Sequence, residues 1–251
     1  MLKPAGVFMP LMLILGATSE IARACALRFA QEGWDLCLAG RRMDALQALA
    51  LELHDKTGRA VECMEFDALD SSTHAALWDS VKDRTDAVLC AVGILGDQIA
   101  ARHDNAAADR ILRANFTGLV PLLSMAADTF EQRQRGLIIG ISSVAGDRGR
   151  GSNYLYGSAK AGFTAFLSGL RARLAPSGVQ VLTVKPGLVA SPMLEGRDLP
   201  PYLIASAKTV ARDIANAVRK GRRTLYSPWY WRVIMLVVKH LPERLFMRLK
   251  A

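Results

Sequence analysis

Seven short apolar runs recur along the chain, at 11–15, 35–39, 60–66, 86–91, 137–141, 179–184 and 224–226. They are continuous rather than alternating, which is the pattern of parallel strands buried on both faces. The stretches after them carry apolar residues at helical spacing: to about residue 32, over 43–56, over 106–133 with a bend at Pro121, from 154 towards 175, and over 208–220. Strands alternating with helices predict a single doubly wound, Rossmann-like α/β domain with a mostly parallel seven-stranded sheet. A chain of 251 residues is long enough for one such core. No internal repeat or linker interrupts it. Residues 1–226 are read as the domain and 227–251 as an appended basic, amphipathic tail.

The junctions carry the candidate chemistry. The first run ends in Leu15-Gly16-Ala17-Thr18-Ser19-Glu20-Ile21-Ala22. A strand–turn–helix of this kind aims backbone N–H groups and a helix N-terminus at a pyrophosphate, so Gly16, Thr18, Ser19 and Ile21 are candidate cofactor contacts. The second run ends in Gly40-Arg41-Arg42. An acidic residue here suits the ribose 2′-hydroxyl of NAD, whereas Arg suits a 2′-phosphate. Arg41 and Arg42 therefore favour NADP(H); the plainer reading is a solvated charge pair opening the next helix.

The stretch 137–162 organises the rest. A strand delivers Ser142 and Ser143, a loop rich in Gly and Arg follows, and a helix opens around Tyr156 and Lys160. Four residues apart, Tyr156 and Lys160 share a helix face. A free phenol has a pKa of about 10, too high for efficient proton transfer at neutral pH, and a nearby ammonium lowers it. Ser143, thirteen residues before the tyrosine, can hydrogen-bond the same substrate oxygen. Tyr-x-x-x-Lys alone reads as an ordinary helix surface. With Ser143 and a nucleotide-type N-terminus it reads as a proton-transfer site.

Ser143, Tyr156 and Lys160, with Asn115 in Asn-Phe-Thr-Gly and Pro186-Gly187 after a later strand, resemble the short-chain dehydrogenase/reductase family over nearly the whole chain. The resemblance implies catalytic roles for Asn115, Ser143, Tyr156 and Lys160, with Asn115 supporting a water-mediated proton relay to the lysine. Tyr156 and Lys160 also belong to its cofactor site. It implies adenine contacts at Asp67 and Ala68, nicotinamide contacts at Pro186, Gly187 and Val189, and a phosphate-side hydroxyl at Ser191. Asp67 reads equally well as a residue of a helix-capping turn. Two departures stand out. Glu20 and Ala22 occupy places where relatives carry glycine, so Glu20 either opposes a phosphate or caps the helix and points outward. Cys90-Ala91-Val92-Gly93 replaces Asn-Asn-Ala-Gly. Gly-Ala-Thr-Ser-x-Ile-Ala, Ala-Val-Gly and the tail are similar to one branch, the reductases of polyprenyl-phosphoryl 2-keto-pentose sugars.

Composition adds limits. Cys25, Cys37, Cys63 and Cys90 are scattered, and the four histidines form no ligand spacing, so neither disulfides nor a metal is expected. The apolar residues before Gly16 lack a small-residue cleavage site and run straight into the phosphate turn, so they are not read as a signal peptide. A reducing, cytoplasmic location follows. Charge is uneven: residues 219–251 hold nine Lys and Arg against Glu243, net +8 of the chain's +9. Trp229, Tyr230 and Trp231 precede an apolar run at 233–238 and a short helical pattern at 243–250 carrying Arg244 and Arg248. This is the composition of a membrane interface; the alternative is a tail that closes the core or a subunit interface. Basic groups confined to one end do not suit nucleic acid. The resemblance implies NADPH-dependent reduction of a ketone to a secondary alcohol by a homodimer or homotetramer, with a lipid-linked sugar as a substrate class. The other readings are a reductase of hydrophobic acyl or steroid-like ketones and a non-catalytic NADP-sensing protein; the Ser, Tyr and Lys argue against the last.

Overall fold

β1 (Leu11–Leu15) is buried throughout and sends alternate side chains into two apolar layers. Met12 and Ile14 enter one cluster, while Leu11, Leu13 and Leu15 enter another. The strand thus runs through the middle of a sandwich, which is why its sequence shows no polar alternation. The computed structural model describes residues 9–194, 196 and 200–248.

The elements follow as α1 (Glu20–Gln31), β2 (Asp35–Gly40), α2 (Met43–Thr57), β3 (Val61–Glu65), α3 (His74–Val81), β4 (Thr85–Cys90), α4 (Asn105–Asn115), α5 (Val120–Arg133), β5 (Leu137–Ile141), α6 (Tyr154–Leu174) and β6 (Gln180–Pro186). Next come β7 (Leu188–Val189), β8 (Ile204–Ala205), α7 (Ala207–Arg219), β9 (Thr224–Ser227), α8 (Tyr230–His240) and α9 (Glu243–Phe246). The main sheet has seven strands in the order β3-β2-β1-β4-β5-β6-β9, and every pairing is parallel. α1, α2 and α7 supply the first cluster; α3, α5 and α6 supply the second. Strand order reverses between β1 and β4, where a doubly wound sheet opens a crevice at its carboxyl edge. The predicted fold class is the observed one.

The helical pattern over 106–133 is two helices, not one bent at Pro121. α4 stops at Asn115 because Phe116 leaves helical geometry, at φ −149 and ψ −76. The break has a steric cause: a Cβ on Gly118 would collide with the Ala68 carbonyl, so the backbone comes that close only at a glycine. Pro121 lies in the first turn of α5, where a missing N–H costs nothing. The apolar spacing continues through the break, which is why periodicity does not reveal it.

Beyond β6 the chain forms two short 3-10 turns, Pro192–Leu194 and Pro201–Leu203, and a small β7–β8 ladder. The sequence over 193–206 reads as a substrate-side flap, of which residues 195 and 197–199 lie outside the described residues. In the tail, α9 is shorter than the 243–250 pattern suggests, and residues 249–250 also lie outside. α8 packs on the body through Trp231 and Met235, which meet Val144, Leu188 and Tyr226.

Candidate active site

Two adjoining cavities of about 410 and 170 Å³ fill the crevice and share Thr18, Ser19, Ala91, Val92 and Gly93. The larger is lined by Ile21, Arg42, Ser143, Tyr156, Lys160, Pro186, Gly187, Val189 and Ser191. The smaller is lined by Gly16, Arg41, Asp67 and Ala68. Every residue singled out from the sequence as a cofactor contact therefore faces one continuous cleft. Of the four catalytic candidates, Ser143, Tyr156 and Lys160 line it, while Asn115 lies buried behind.

At the reaction end β5 feeds two serines into different tasks. Ser142 Oγ bonds the Lys160 carbonyl at 3.0 Å and Thr164 Oγ1 at 2.7 Å, pinning α6 to the strand. Ser143 Oγ accepts from the Ala145 amide at 3.1 Å and caps the turn that follows. A Cβ on Gly146 would sit 2.7 Å from the Ala161 nitrogen, so that turn lies directly on α6. Lys160 is buried, and its Nζ donates to the carbonyls of Ile141 (3.1 Å) and Val92 (3.2 Å). Desolvation brings its pKa down to about 8, partly offset by Cys90. Two backbone acceptors thus hold a cation in an apolar place.

Tyr156 differs from the sequence expectation. The protein's own groups raise its pKa, because burial disfavours the phenolate; Ser143, through a hydrogen bond, is what draws it down. Lys160 Nζ lies 5.9 Å from the ring centroid and directs two of its three donors to the carbonyls. Asn115 Nδ2 donates to Ile94 O at 2.7 Å and Ile111 O at 2.8 Å, tying the end of α4 to the segment after β4. Its Oδ1 is buried and has no partner. A Cβ on Gly93 would lie 2.7 Å from that oxygen and 3.1 Å from Lys160 Nζ, so the glycine lets both groups approach one spot.

The phosphate end is looser. Gly16 turns the chain at φ +74, and a Cβ there would press on Ala91 at 3.1 Å. The α1 cap is Ser19, which accepts from Ala22 N at 3.3 Å; Glu20 is exposed and lines the larger cavity. Ala22 is fully buried in the core. Asp67 performs the turn role, accepting from Leu69 N at 2.9 Å, while still lining the smaller cavity. Ser191 Oγ donates to Val189 O at 3.1 Å. Arg23, which lines the larger cavity, is engaged by Glu52 at 3.3 Å. Met193 and Leu194 belong to the 193–206 flap read from the sequence, but sequence reasoning missed Val92 and Arg110 as lining residues. Only their nearness to motif residues signalled them.

The short chain dehydrogenase family model matches residues 10–199. The chain belongs to that family. Proteins of similar sequence include an uncharacterized oxidoreductase of Mycobacterium tuberculosis, 37% identical over 240 residues and covering 94% of this chain and 96% of its own. A serine 3-dehydrogenase of Agrobacterium fabrum is 34% identical over 180 residues, 70% of each chain. Among solved structures, a short-chain dehydrogenase from Sphingobium yanoikuyae in complex with NADPH is 27% identical. It superposes with a TM-score of 0.83 over 91% of this chain and 93% of its own.

Proposed function

We propose that this short-chain dehydrogenase reduces a ketone to a secondary alcohol with NADPH. The observation that carries the reading is the convergence of Ser143, Tyr156 and Lys160 at one end of a cleft whose other end holds Arg41. The residues fit a dinucleotide phosphate: Gly16 turns tightly beneath Ala91, and the first turn of α1 opens onto the cleft beside Thr18 and Ser19. NADPH in the Sphingobium relative supports the same cofactor here. Arg41 and Arg42 are exposed, and among the described residues neither forms an ion pair with a carboxylate, which suits a 2′-phosphate.

The reduced nicotinamide, when bound, supplies hydride to the carbonyl carbon. Ser143 Oγ and Tyr156 Oη grip the carbonyl oxygen, and the phenol gives up its proton there. A phenol held above its usual pKa is a ready donor only if the resulting phenolate is stabilised, which is the task of the Lys160 charge. Tyr156→Phe should abolish NADPH oxidation by ketones while NADPH still binds; undiminished turnover would end the proposal.

The substrate class follows less directly. Pro192, Met193 and Leu194 give the reaction end an apolar lip, which favours a hydrophobic or lipid-linked ketone, including a lipid-linked sugar. The outer side of the tail supports contact with the inner face of an anionic membrane from the cytoplasm: Trp229, Leu236 and Met247 are 74, 61 and 70% exposed, with Arg232, Lys239 and Arg244 beside them. Among the described residues no helix is long and apolar enough to cross a membrane. Co-sedimentation with anionic and neutral liposomes at two salt concentrations tests the contact. Equal pelleting with both lipids would remove it. Assembly as a homodimer or homotetramer is carried with this reading and is read by sedimentation.

A further inference from the structure

The C-terminal helix does more than close the surface. Its buried residues Trp231 and Met235 pack on Val144, the neighbour of Ser143, and on Leu188, next to Gly187. The contact with Gly187 is the tightest: a Cβ there would overlap the indole of Trp231 at Nε1, Cε2 and Cδ1. Only a glycine lets the loop after β6 settle on that ring edge. Trp231 is 5% exposed and its Nε1 has no hydrogen-bond partner. An unpaired buried donor costs some stability, which the apolar burial of the ring offsets.

The second contact runs from the catalytic loop to the end of the same helix. Arg148, between Ser143 and Tyr156, donates through Nη1 to the carbonyls of Val238 (2.7 Å), Lys239 (3.3 Å) and Leu241 (2.6 Å). Nη2 pairs with Glu243 at 2.9 Å, and the guanidinium lies 4.1 Å from the centroid of the Phe246 ring. These carbonyls are the unpaired acceptors at a helix C-terminus, where a cation is favoured. One residue before Arg148, Asp147 accepts from Tyr226 at 2.6 Å and pairs with Lys185, which precedes Pro186. The loop that carries Ser143 and the loop that carries Gly187 are therefore fastened to one helix.

We propose that α8 is part of the reaction site, with Trp231 positioning the nicotinamide-side loop and Arg148 positioning the catalytic loop. The assignment rests on the NADPH reading above, and the tests separate the two. Trp231→Phe keeps a ring in the apolar cluster but withdraws the edge that meets Gly187. Calorimetric titration should show NADPH bound about three- to tenfold more weakly, because the competent loop position is less populated. Affinity for 2′,5′-ADP, which lacks the nicotinamide, should stay within about twofold by the same argument. The variant should stay folded and melt somewhat lower than the wild type, because the smaller ring leaves part of the site unfilled. Arg148→Met should lower kcat by about ten- to a hundredfold with NADPH affinity preserved. Arg148→Lys, able to reach fewer carbonyls, should recover part of it. A Trp231→Phe protein that binds NADPH as the wild type does, or that loses NADPH and 2′,5′-ADP equally, overturns the role of Trp231. An Arg148→Met protein with unchanged kcat overturns the role of Arg148. A wild-type protein that binds 2′,5′-ADP and NADPH not at all would instead remove the cofactor reading.

Discussion

The two ends of the cleft are built on opposite principles. At the reaction end the polar groups are desolvated and braced: Lys160 by two carbonyls, Ser142 by α6, the catalytic loop by Arg148. At the phosphate end Arg41, Arg42 and Glu20 are exposed, and the second and third glycine places are filled by Glu20 and buried Ala22. Burial magnifies the effect of each charge, whereas solvent screens it. The same number of polar residues should therefore count for much more at one end than at the other.

Tyr156→Phe offers the largest contrast. Removing the proton donor should cost about 10²- to 10⁴-fold in kcat, with the melting temperature scarcely changed, as read by steady-state NADPH oxidation and thermal unfolding. Lys160→Met probes the same end through pH. In the folded protein the Lys160 pKa, about 8, lies below the ordinary lysine value of 10.5, so the unfolded chain holds more protons between those values. Stability contributed through this group therefore rises with pH across that window. The wild type should gain stability relative to Lys160→Met between about pH 8 and 10.5, and its ketone reduction should decline above about pH 8 as the ammonium is lost.

At the other end the effects shrink. Arg41→Ala with Arg42→Ala should erase a preference for NADPH over NADH of about 1.5–3 kcal/mol, measured as the ratio of the two kcat/KM values. Glu20→Gly should be smallest. Removing an exposed carboxylate beside the phosphate turn should tighten NADPH by only about 0.5 kcal/mol, and less as salt is raised. A larger gain from Glu20→Gly than loss from the arginine pair would invert the comparison.

What the sequence disclosed follows the same division. Strand–helix alternation was legible because strands buried on both faces, such as Met12 to Leu15, leave unbroken apolar runs. The cofactor-facing residues were legible because each sits at a strand end, where the fold places ligands. The break after Asn115 was not, since Ile111, Leu119, Leu122 and Leu123 keep helical spacing across it while its cause, the Ala68 carbonyl against Gly118, is remote in sequence. Tyr156 was misjudged in direction because helical spacing places Lys160 near it but cannot show how deeply the phenol is buried. The tail held two apolar faces. Composition offered a membrane-facing tail and a core-closing one as alternatives, and could not tell that Trp229 and Leu236 point outward while Trp231 and Met235 pack inward.

The grip of Arg148 on Val238 also orders events in time. The two residues are 90 positions apart, and a chain made from its N-terminus presents Ser143, Tyr156 and Lys160 well before α8 exists. During that interval β6 is an unpaired sheet edge, because its partner β9 is also still to come. Domains of this size form such remote contacts slowly and pass through species with exposed strands. The growing polypeptide thus carries its proton donor and cation while the loop between Ser143 and Tyr156 is still unclamped. On the role proposed for Arg148, competence to turn over substrate arrives with the helix, later than the residues that perform the reaction.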